Sequence, residues 1–106
     1  MAVAPRLTIA VRPTTQKAGR NVRVTGRLAP ADAARRVHLD RYNAQRKRWD
    51  RLSTKPVANS GAVVFRWRAV KGRSLLRLSV ARADLQPGYV PTVSRSVAVR
   101  GLAPVP

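Results

Sequence analysis

Cysteine and glutamate are absent from this chain, and histidine occurs once. Those gaps exclude disulfides, thiolate zinc sites, cysteine nucleophiles and acid/base pairs built on Glu. A lone histidine with four scattered acids, Asp32, Asp40, Asp50 and Asp84, lacks metal-ligand spacing. Glycine-rich phosphate loops are missing, and no motif places a Ser or Thr as nucleophile. No catalytic residue, metal or cofactor is therefore assigned. The longest apolar runs are five or six residues, far short of the roughly 18 a membrane-spanning helix needs, so no membrane insertion is expected.

What is present is positive charge and alternation. The 106 residues suit one domain and one core. Lys and Arg number 22 against four acids, giving a formal charge of +18, while 44% of residues are hydrophobic. Eighteen of the cations are Arg; the lysines are Lys17, Lys47, Lys55 and Lys71. So large a charge on so small a domain exceeds what solubility needs and points to a polyanionic partner. The N-terminal stretch from Met1 to Arg12 has no basic segment ahead of a long apolar one. The expectation is a protein acting where it is made, or a module cut from a longer chain.

The helix period is missing and the strand period recurs. Alternating runs lie at Leu7–Val11, Val22–Leu28, Val37–Tyr42, Trp49–Leu52, Val63–Arg68, Leu76–Val80 and Val97–Arg100. Turn signals at Pro13–Gly19, Ala29–Pro30, Asn43–Arg48, Asn59–Gly61, Lys71–Arg73 and Pro87–Gly88 separate them. Seven short strands at this spacing predict an antiparallel β-sandwich. The only rival is one helical turn over Ala31–Arg36. The expected inward set is Leu7, Ile9, Val11, Val22, Val24, Leu28, Val37, Leu39, Trp49, Phe65, Trp67, Leu76, Leu78, Val80, Val97 and Val99, with both tryptophans filling the core.

The order Ala18–Pro30, Arg36–Arg41, Arg48-Trp49, Ser60–Phe65, Gly88-Tyr89 and Ser94–Arg100 resembles the bacterial immunoglobulin-like repeat. That module recurs in surface and secreted proteins of high-GC bacteria and in virion proteins of their phages. The resemblance implies an all-β, immunoglobulin-like antiparallel sandwich of about seven strands over residues 6–101. Residues 1–5 and the Pro-rich 102–106 would be tails. It also implies a spacer or binding module with no shared catalytic residues. Two departures stand out: Ala33-Ala34 replaces a common Gly, and the strands carry Arg where Thr is usual.

With that connectivity, loops alternate between the two ends of the sandwich. One end collects Lys17, Arg20, Arg46, Lys47, Arg48, Lys71 and Arg73, with no acid in its turns; these are the principal partner-binding candidates. The other collects Arg35, Arg36, Lys55 and Arg82, balanced in part by Asp32 and Asp84. A second, weaker candidate surface is the outward face of two neighbouring strands, where Arg23 and Arg27 would lie beside Arg66 and Arg68 and repel one another. His38 and Asp40, two apart on one strand, are expected to form a surface ion pair.

Three functions fit. The first is a binding module docking through its basic surface onto an acidic protein assembly, such as a phage capsid or tail, in an oligomeric setting. The second is a module of a cell-surface or secreted protein touching anionic wall polymers. The third is a nucleic-acid binder, such as a ribosomal or chromatin-like protein; charge supports it, but no outward aromatic interleaved with cations is expected and no Lys/Gly-rich disordered extension is present.

Overall fold

The computed structural model describes residues 4–103; the outermost parts of the two expected tails, 1–3 and 104–106, lie outside the described residues. Nine strands occur among the described residues: β1 (Arg6–Arg12), β2 (Thr15–Lys17), β3 (Asn21–Ala29), β4 (Arg36–Asn43), β5 (Arg48–Pro56), β6 (Ala62–Arg68), β7 (Gly72–Val80), β8 (Thr92–Val93) and β9 (Val97–Leu102). The one helical element among them is a 3-10 turn at Arg82–Asp84. Ala31–Arg36 is not a helical turn: residues 31–35 form an irregular connection whose Ala33 and Ala34 are buried, with Ala34 bridged to Leu85, and Arg36 begins β4. Residues this small let the connection press into the core.

The strands form two sheets of a β-sandwich. One has the order β1-β3-β6; the other runs β2-β9-β7-β4-β5, with β8 also paired to β7. All pairings are antiparallel except β2 with β9, which is parallel. The period-two pattern explains the core. Strand β1 alternates exposed and buried from Arg6 to Arg12, and β3 buries Val22, Val24, Gly26 and Leu28. These side chains meet Val37, Leu39, Leu76, Leu78, Val80 and Val99 from the larger sheet, with Phe65 of β6 completing one contiguous cluster. Val63 and Ala69 join it from beyond the expected inward set.

Two strands exceed the seven expected. Thr15–Lys17 has no apolar alternation, and it is a strand only because it lies along β9. Strand β8 is two residues long and continues the same edge of β7 that β9 occupies. Between them Ser94 is buried; its Oγ accepts the Leu78 N–H at 2.8 Å and donates to the Arg95 carbonyl at 2.9 Å. A side chain thus fills the gap in the ladder, as a buried N–H requires.

The tryptophans depart from expectation. Trp67 packs against the core but is only half-buried. Trp49 is not in the core: it sits opposite Tyr42 on the outer face of β5 and β4. The register shifts between Leu39 and Asp40, so a β-bulge breaks the simple alternation that would count Trp49 in phase with its apolar neighbours.

Candidate polyanion-binding surfaces

The strand directions put the turns after β2, β4 and β6 at one end. The Gly19 N–H donates to the Ala69 carbonyl at 2.8 Å, and the Ala69 N–H donates to the Arg20 carbonyl at 2.9 Å. Ala18 N–H donates to the Leu102 carbonyl at 2.8 Å. These bonds bring the segments carrying Lys17, Arg20 and Lys71 together. Arg73 lines a depression shared with Asn43, Ala44 and Gln45, and so reaches the turn that carries Arg46, Lys47 and Arg48.

This end is not free of acid, as the turns alone suggested. Asp50, at the start of β5, receives the Asn43 side-chain N–H at 3.0 Å and the Arg48 Nε–H at 3.2 Å. Its carboxyl is held below the usual carboxylate range, first by the Asn43 hydrogen bond and then by the Arg48 and Arg46 cations, against some desolvation. An ionised carboxylate therefore sits beside Arg48 and within the field of Arg46.

The opposite balance holds on the smaller sheet. Arg12, Arg23 and Arg66 are direct partners across β1, β3 and β6, forming one rung of three exposed arginines. Arg6, Arg27 and Arg68 are exposed on the same strands. Arg27 faces Thr8 and Ala62, and Arg68 faces Asn21, so only Arg23 and Arg66 of the expected four are directly opposed. Arg12 was not singled out by the sequence; the signal was its place in the period-two outward set of Arg6, Thr8, Ala10 and Arg12. No acid lies on β1, β3 or β6.

All four acids lie elsewhere, and two are engaged with distant partners. The expected surface pair of His38 and Asp40 does not form. His38 is 3% and Asp40 5% exposed. His38 Nε2 lies 2.8 Å from Asp84 Oδ2 and its Nδ1 lies 2.7 Å from Thr54 Oγ1, which ties the Arg82–Asp84 turn to β4 and β5. Asp40 accepts instead from Arg77 Nε at 3.3 Å. Each has a better-placed partner from another strand or turn than its neighbour two residues away. With its carboxylate on His38, Asp84 offers Arg35 only a backbone contact, at 2.9 Å from the Arg35 N–H.

The outer face of the larger sheet carries the aromatic group that the sequence concealed. Tyr42 and Trp49 meet edge to face, with centroids 5.3 Å apart and planes at 64°. The Arg77 guanidinium carbon stands 4.3 Å from the Trp49 ring centroid, within cation–π range. An outward aromatic in contact with a cation is therefore present, contrary to the expectation from the sequence. Among the described residues no helix is long and apolar enough to cross a membrane. No family model matches the chain, and no curated protein or solved structure matches it either.

Proposed function

We propose that this chain is a non-enzymatic, immunoglobulin-like module that docks onto an acidic assembled surface, in a virion, which is one of the two settings its resemblance implies. The observation that carries the reading is the Arg12–Arg23–Arg66 rung on a sheet face whose strands hold no acid. Like charges directly opposite on a sheet destabilise it, and a polyanion laid across the rung would relieve that repulsion. The three-stranded sheet opposite a five-strand path, with β2 parallel to β9, supports the immunoglobulin-like part.

The seven cations at the turn end would add attraction, tempered by Asp50. The rung is the stronger candidate, because no carboxylate on its own strands competes for it. Immobilised poly-L-glutamate serves as a model acidic lattice. At about 0.15 M salt, where screening acts over about 8 Å, reversing Arg12, Arg23 and Arg66 to Glu should abolish attachment. Reversing Arg46, Lys47 and Arg48 should weaken it less. Attachment of the rung variant at wild-type strength, with folding verified by circular dichroism, would reject the proposal.

A further inference from the structure

We propose that the outer face of the larger sheet binds single-stranded nucleic acid, with a phosphate seated between Arg73 and Arg100 and the adjoining base stacked on Tyr42. This inference uses a different face from the docking rung and stands independently of it. Arg73 of β7 and Arg100 of β9 are direct cross-strand partners, both exposed. They line a shallow groove with Thr14, Thr15, Gly72 and Ala98, and none of its lining residues is acidic. Gly72 and Ala98 are too small to fill the groove, and two guanidinium forks beside two hydroxyl-bearing residues match the oxygens of a phosphate.

Arg73 is also a wall of the neighbouring depression, which contains Tyr42, Gln45 and Asp50. Charge sorts a nucleotide between the two. The ionised Asp50 repels phosphate from the second depression, yet it can accept a hydrogen bond from the exocyclic amine of a base. Tyr42 supplies the stacking face, braced by Trp49 at 5.3 Å. Strands β7 and β4 are direct neighbours, about 4.8 Å apart, so the two depressions lie within the reach of one nucleotide. A duplex keeps its bases stacked inward, whereas a single strand can turn one out onto an aromatic.

The chain has two tryptophans, so a Trp67→Phe background leaves Trp49 as the sole tryptophan, whose indole emission is selected from that of Tyr42 by exciting at the red edge of the absorption band. Oligo(dC), oligo(dT), a duplex of equal length and inorganic polyphosphate would each be titrated at about 0.15 M salt. The expected result is quenching by oligo(dC) at several-fold lower concentration than by oligo(dT), and no quenching by duplex or polyphosphate. Arg73→Gln with Arg100→Gln should weaken oligo(dC) binding about tenfold or more. Both positions are exposed and their removal relieves a like-charge contact, so the fold should survive. Reversing Arg12, Arg23 and Arg66 should leave the quenching amplitude in place even where it abolishes docking on poly-L-glutamate. Quenching by polyphosphate equal to that by oligo(dC), or unchanged affinity in the Arg73/Arg100 double variant, would overturn the assignment.

Discussion

Arg77 serves two neighbours at once, an Asp40 carboxylate at 3.3 Å and the Trp49 ring at 4.3 Å. The Asp40 side chain is 7% exposed and that of Arg77 24%, so the two members of the pair are not equivalent. Arg77→Ala leaves a buried carboxylate without its cation and should cost on the order of 2–3 kcal/mol, after discounting for the partial exposure of the pair. Asp40→Ala leaves an arginine that water can reach, and should cost about 1 kcal/mol. Urea unfolding of the two variants checks the order. Asp50 offers a pH test. Its folded-state pKa is depressed, so the stability it contributes is present above the unfolded-state value and is lost as pH falls through the folded one. Asn43→Ala removes the leading cause, and an NMR titration of the Asp50 carboxyl should show its pKa moving back up toward the ordinary range.

At the scale of elements, the inward rows of β3, β6 and β7 hold the sandwich together. Phe65 is 1% exposed, whereas Trp67, two residues along the same face of β6, is only half-buried. Phe65→Ala should therefore cost about 3–5 kcal/mol, and Trp67→Ala less despite the larger ring; thermal melts would show the inverse order if the register of β6 were shifted. Glycine matters where chains cross closely. A methyl group at Gly101 of β9 would run into the backbone carbonyl of Val70 in the turn before β7. At Gly26 of β3 it would meet the Leu78 and Val63 side chains instead. Side chains can rearrange and a turn carbonyl cannot easily do so, so Gly101→Ala should destabilise more than Gly26→Ala, for which overpacking costs about 1–3 kcal/mol.

For the whole molecule, the decisive quantity is where the charge of +18 goes. The principal-axis extents are 55 × 30 × 17 Å, so the two ends are separated by several screening lengths of about 8 Å and act as independent fields. Binding to a polyphosphate should be steeply salt-dependent. If the six exposed arginines of the smaller sheet each neutralise one duplex phosphate, the log–log slope is about −5, and the rung variant should flatten it by about 3. A slope near −1 for the wild-type chain would show that the charge is spread too thinly to act as a surface.

Alternation with period two was enough to determine an all-β chain, most of its inward residues, and the outward parity of Arg23, Arg27, Arg66 and Arg68, because a strand's side chains face opposite sides by geometry alone. Position across strands is not local information. Thr15–Lys17 became a strand through β9, Trp49 faced outward because of a one-residue bulge, and His38 found Asp84 46 residues away rather than Asp40 two away. The joining of Arg12 to Arg23 and Arg66 into one rung, and of Arg73 to Arg100 and Tyr42, likewise followed from register. Charge and period belong to the chain itself; which charges stand side by side is fixed only when hydrogen-bond ladders and core packing choose one pairing of the strands.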